Sequence, residues 1–213
     1  MCAVIAGLLI AGPAAGQRRD EPRGKAGEFD FYVLALSWSP EFCSDARSRN
    51  NQEQCGEARR FAFVVHGLWP QYQKGWPQFC PTGAHVQAAT IDRTLPIMPS
   101  KSLIRHAWEK HGSCSGLAPD RYFSATLRAF NAVRIPAIFR QPLAQITHRP
   151  AGIYEAFAKA NPDPGEAAFR LQCRGRFLTE MWVCMDKDLK PIACPRSLRD
   201  NCRAPEIIAR PVR

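Results

Sequence analysis

FDFYVLALSW, Phe29–Trp38, runs almost unbroken through apolar and aromatic residues. It is too rich in β-formers for a surface helix and too continuous for a strand with one wet face, so it predicts a strand buried on both faces at the centre of a sheet. Pro40 ends it. Downstream, Ser44–Arg60 reads as a polar loop between Cys43 and Cys55, and RFAFVVHG (Arg60–Gly67) as a second strand that delivers His66 at its end, with Gly67 and Pro70 turning the chain. Ser100 is placed as an N-cap and Gly112 as a stop, which predicts a helix over LIRHAWEKHG (Leu103–Gly112). Further helices are expected over Pro119–Val133 and around Gly152–Ala160. TEMWVCMD (Thr179–Asp186) and LKPIAC (Leu189–Cys194) read as a hairpin turning at Lys187-Asp188, followed by a frayed Pro- and Arg-containing tail over 203–213. Strands early and late in the chain, with helices between them, are thus expected.

At 213 residues the chain is long enough for one domain with a substantial core. Met1–Gly16 is small and aliphatic with no charged side chain and closes on Ala14-Ala15-Gly16. It predicts a signal peptide over 1–16, followed by a flexible leader over 17–28 and the folded domain over 29–202. Of nine cysteines, eight remain beyond the leader: Cys43, Cys55, Cys80, Cys114, Cys173, Cys184, Cys194 and Cys202. An even set with no C-x-x-C pair fits disulfides rather than structural zinc, and points to an oxidising compartment, secreted or periplasmic. Eight cysteines allow 105 pairings, so counting does not assign them. The net charge of +10 suits an anionic partner, whether nucleic acid, acidic polysaccharide or membrane surface.

The helix LIRHAWEKHG carries the reactive groups. With 3.6 residues to the turn, His106, Lys110 and His111 line one wall of the helix, and Ala107 falls between Lys110 and His111. Ile104 and Trp108 lie just beyond His111 and anchor the helix by its hydrophobic side, while Glu109 points elsewhere. A solvated face around a buried tryptophan would explain this decamer alone, as a packed strand-end residue would explain His66 alone. Together they make a different constellation. Histidine titrates near neutrality, so two imidazoles can serve as base and acid, while a lysine and a third histidine stabilise developing negative charge. That is equipment for metal-free RNA cleavage: one imidazole takes the ribose 2′-OH proton, the oxygen attacks phosphorus, and the other imidazole protonates the departing 5′ oxygen. GSCSG (Gly112–Gly116) mimics a nucleophile elbow but follows a helix where an elbow needs a strand. No H-E-x-x-H and no phosphate-binding loop occurs, so neither metal nor cofactor is expected.

HGLWPQ (His66–Gln71) and HAWEKHGSC (His106–Cys114) together resemble the two active-site segments of the ribonuclease T2 family, secreted endoribonucleases of the α+β class. FDFYVLALSWSPEFC (Phe29–Cys43) resembles its first core strand and VCMDKDLKPIAC (Val183–Cys194) its late hairpin, and the fold that this implies is a single disulfide-stapled α+β domain with an antiparallel central sheet and several packed helices. The resemblance implies that His66 donates to the leaving group, that His111 accepts the 2′-OH proton, and that His106 and Lys110 hold the phosphate. Trp69 would line the substrate wall, with Tyr72, Trp76 and Phe79 as candidate stacking surfaces. It implies the pairs Cys43–Cys55, Cys80–Cys114, Cys173–Cys202 and Cys184–Cys194, a monomer acting on single-stranded RNA, no action on DNA, and no membrane span.

One position departs from the family pattern: a glutamate usually follows the first histidine of the second segment, and this chain has Ala107. A missing preorganised group costs on the order of 10² to 10³ in rate. The rival expectation is therefore a catalytically impaired relative that binds or stores RNA.

Overall fold

The computed structural model describes residues 21–48 and 50–212; the expected signal peptide over 1–16 lies outside the described residues. The elements, in chain order, are β1 (Phe31–Trp38), α1 (Ser39–Phe42), α2 (Gln52–Cys55), β2 (Phe63–Gln71), α3 (Ala88–Thr94), α4 (Lys101–Lys110), α5 (Pro119–Ala132), β3 (Ile146–His148), α6 (Pro150–Ala160), β4 (Phe169–Arg174), β5 (Phe177–Met185) and β6 (Ile207–Ala209). β1 lies between β2 and β5, antiparallel to both, and β4 flanks β5 on its other edge. The sheet is mixed, because β6 joins β5 in parallel where Phe177 pairs with Ile208.

Alternation along β1 divides the molecule. Tyr32, Leu34, Leu36 and Trp38 enter the main core under α4, α5 and α6, whereas Phe31 and Val33 join Cys184, Cys194, Trp69 and Trp182 on the opposite face. β2 does not end at Gly67, as the sequence suggested, but runs on to Gln71 with a bulge inside it. Ala35 pairs with Gly67 and Leu36 with Val65, so His66 is the extra residue. The bulge inverts parity: Phe63 and Val65 face the main core before it and Leu68 after it. Gly67 is required there because a Cβ would collide with the Trp69 indole. β5 carries a second bulge, since Gln172 pairs with Glu180 and Cys173 with Leu178, leaving Thr179 unopposed.

Ser100 caps α4, accepting from Leu103 N–H at 3.3 Å, and Ile104, Ala107 and Trp108 seat the helix in the core. The Tyr122 hydroxyl donates to the Leu68 carbonyl at 2.7 Å, fastening α5 to β2 beyond the bulge. Buried Glu41 is satisfied by two guanidinium groups, Arg174 at 2.7 Å and Arg210 at 2.6 Å.

Several expected segments differ. Leu189–Cys194 turns back on β5 as expected but forms no regular strand: Met185 bridges Pro191, Ile192 N–H donates to the Cys184 carbonyl at 2.9 Å, and Cys194 is bonded to Cys184; the regular ladder on β5 is made instead by β4, turning at Gly175 with φ 60°. The tail is not frayed, because Ile207, Ile208 and Ala209 are buried as β6. The leader is tied down from Arg23, which exchanges two backbone hydrogen bonds with Gln78 at 2.7 and 2.8 Å. The disulfides are Cys43–Cys55, Cys80–Cys114, Cys173–Cys202 and Cys184–Cys194, the pairing that the resemblance implies. Among the described residues no helix is long and apolar enough to cross a membrane.

Candidate active site

His66, Trp69, His106, Lys110 and His111 all line one cleft of about 390 Å³, where Phe31, Val33, Trp69 and Trp182, from the face of the sheet away from the main core, meet α4. β2 and α4 both line it. Alternation after Val65 turns His66 into the cleft, the bulge brings Trp69 and Gln71 beyond it onto the same side, and α4 presents Leu103, His106, Ala107 and Lys110, with His111 at its C-cap. The helical arithmetic is therefore realised: Glu109 lies outside the cleft lining, and Ala107, 2 % exposed, puts only a methyl group there. A second hollow of about 600 Å³ shares His66, Leu103 and His106 with the first, so these two histidines sit on the ridge between two depressions.

Trp69 organises both reactive rings. Its indole stacks on His111, with centroids 5.1 Å apart and planes 27° apart, and meets His66 edge-on at 5.2 Å. Trp182 packs edge-on against Trp69 at 5.6 Å. Phe79 does not line the cleft but steadies its helical wall: its N–H donates to the Lys110 carbonyl at 2.9 Å, and its ring lies 5.6 Å from Lys110 Nζ and 6.4 Å from the His106 ring. Tyr72 and Trp76 do line the cleft, and Trp76 is 42 % exposed.

The two imidazoles on either side of Trp69 are electrostatically opposite. For His66, desolvation acts to lower the pKa, but the hydrogen bond and the charge of Glu180 outweigh it and the smaller push from Lys110, leaving the ring above its usual value. Glu180 Oε1 lies 2.5 Å from His66 Nδ1. Among the described residues no carboxylate is hydrogen-bonded to His111. Burial, then the positive Lys110, His66 and His106, depress its pKa to about 3, and its Nδ1 is buried without a hydrogen-bond partner in the structure. At any pH between these values one ring carries a proton to donate while the other has a lone pair to accept one. That combination suits a reaction that moves one proton in and one proton out.

Glu180 was not singled out from the sequence. The available signal is the alternation Glu180, Trp182, Cys184 in a strand whose other face, Met181, Val183 and Met185, is buried. The apparent elbow at Gly112–Gly116 is structural, since Cys114 is fully buried and bonded to Cys80.

Residues 29–194 match the model of the Ribonuclease T2 family. A protein described as a ribonuclease from Aeromonas hydrophila is 35% identical over 206 residues, covering 91% of this chain and 91% of its own. Ribonuclease I of Escherichia coli strain K12 is 29% identical over 206 residues, covering 76% of this chain and 77% of its own. Among solved structures, an RNase-related protein from Calystegia sepium superposes with a TM-score of 0.67 at 25% identity, covering 85% of this chain and 98% of that one.

Proposed function

This chain belongs to the ribonuclease T2 family and is an endoribonuclease, and on that premise we propose that it cuts single-stranded RNA by 2′-OH transesterification, without a metal. The observation that carries this reading is a single cleft holding His66, hydrogen-bonded to Glu180, and His111, buried beside Lys110, on either side of Trp69, an arrangement that pushes the first imidazole pKa up and the second down. His111 takes the 2′-OH proton, the 2′ oxygen bonds to phosphorus, the bond from phosphorus to the 5′ oxygen breaks, and His66 gives that oxygen its proton. The products are a 2′,3′-cyclic phosphate and a 5′-hydroxyl. With the roles reversed, water opens the ring to a 3′-phosphate. Lys110 and His106, on the helical wall beside His111, hold the non-bridging oxygens as their charge grows. Trp69 keeps the two imidazoles apart and walls the substrate.

The departure at Ala107 does not favour the impaired alternative, since both proton-transfer groups and both phosphate-holding groups line the cleft. Four disulfides support action in an oxidising compartment, secreted or periplasmic. The test is electrophoresis in an RNA-containing gel equilibrated with EDTA. A clearing band at the position of this chain is expected; clearing that appears only when divalent cations are restored overturns the metal-free mechanism.

The pH dependence of kcat/KM follows from the same geometry. A base must be unprotonated, so the ascending limb lies in the acid range, towards the value of about 3 set for His111. An acid must be protonated, so the descending limb lies above the ordinary histidine value of about 6.5, because His66 is raised. A dinucleotide assayed from the acid range to well above neutrality should therefore give a broad plateau over acid to neutral pH. A narrow bell with both limbs at the usual histidine value contradicts the assignment.

A further inference from the structure

We propose that Glu180 is the positioning residue of the general acid, holding His66 with its Nδ1 tied to the sheet and its Nε2 turned to the cleft, and bracing the ring system that carries His111. This rests on the acid role given to His66 above. Both carboxylate oxygens are committed: Oε1 lies 2.5 Å from His66 Nδ1, and Oε2 accepts from Trp182 Nε1 at 2.6 Å. Trp182 packs on Trp69, and Trp69 stacks on His111. One carboxylate thus reaches one reactive imidazole directly and the other through two indoles.

The backbone is arranged for this contact. His66 on β2 and Glu180 on β5 are separated by β1, where Leu36 pairs with Val65 and Ser37 with Glu180. Each of the two strands bulges beside the residue concerned, at His66 itself and at Thr179. Bulges re-aim side chains locally, and two of them converge here on one hydrogen bond. Glu180 is 15 % exposed at its side chain, so the interaction is largely shielded from solvent. The helical wall offers only Ala107 where the family usually has a carboxylate, so in this chain the carboxylate in contact with a reactive imidazole comes from the sheet.

The other charged groups facing His66 are Lys110 and His106 on α4 and His111 at its C-cap. Across the second hollow stand Arg174, Glu41, Asp45 and Arg47, and these pair among themselves. The group whose hydrogen bond opposes the desolvation of His66 is Glu180.

Glu180→Gln keeps an oxygen for Trp182 and removes the charge. The His66 titration midpoint, followed by NMR of the imidazole carbons, should fall, and the descending limb of kcat/KM should move to lower pH with it. Cleavage of a dinucleotide should drop about tenfold or more at pH 7 and much less at pH 5, where His66 stays protonated, with KM little changed. Glu180→Asp should recover part of the midpoint; Trp182→Phe, which leaves the carboxylate in place, should keep it raised. If Glu180→Gln, folded by near-ultraviolet circular dichroism, leaves both the midpoint and the limb unmoved, Glu180 is only an acceptor for Trp182 and the proposal is overturned. A fully active His66→Ala would instead overturn the acid assignment itself, a separate outcome.

Discussion

His66→Ala and His111→Ala each lower kcat/KM for an RNA dinucleotide by about 10² to 10⁴, the usual worth of a positioned proton-transfer group. The fold survives both changes, since both side chains line the cleft and neither belongs to the main core. The two losses differ in kind. A leaving group that needs no proton, such as p-nitrophenolate from a uridine 3′-phosphodiester, relieves the demand on His66 and leaves that on His111. The His66→Ala deficit should therefore shrink on the activated ester while the His111→Ala deficit stays. Either variant, folded by circular dichroism and cleaving the dinucleotide within about threefold of the parent, contradicts the assignment. Shrinkage of the His111→Ala deficit instead means that the two roles are exchanged.

A single 2′-deoxy substitution at the scissile nucleotide removes the nucleophile and leaves every phosphate and base contact in place. The expected loss at that bond is on the order of 10⁶ or more, since an enzyme that only positions protons around an internal nucleophile has no other reagent to offer. Neighbouring bonds in the same oligonucleotide stay cleavable and serve as the internal control. Cleavage at the deoxy position at a comparable rate means that water or a metal-bound hydroxide attacks first. For the same reason single-stranded DNA should be inert, although the positive wall of the cleft, His106 and Lys110, also suits its phosphates.

How much of this was legible in the sequence depends on which physical signal each element carries. The buried strand β1 and the capped helix α4 were legible because each follows one rule throughout, continuous apolarity in the first and a 3.6-residue period in the second. β2 was legible only to His66, because Gly67 followed by Pro70 reads locally as a turn. In a strand pattern an isolated glycine also marks a bulge, and here it makes room for an indole and flips the parity of all that follows. β4 escaped although Phe169, Leu171 and Cys173 alternate with Arg170, Gln172 and Arg174, because the polar half is strongly charged and the run is short. β6 escaped because three residues cannot show a period, and tertiary pairing with β3 and β5 decides them. The histidines and the lysine were legible as chemistry in a particular spacing. Glu180 was not, because its meaning comes from a hydrogen bond across two strands and from a second bulge that no local pattern announces.

Attack of the RNA 2′ oxygen on phosphorus between His66 and His111, with no metal involved, leaves a signature in ³¹P NMR of a dinucleotide monophosphate incubated with the protein in excess EDTA. A transient 2′,3′-cyclic phosphate resonance is expected, built up at the rate of substrate loss and then converted to a 3′-phosphate, with the His66→Ala and His111→Ala variants slow in the first step. A 5′-phosphate product, or a 3′-phosphate formed without a cyclic precursor even in the earliest turnovers, would contradict attack by the 2′ oxygen.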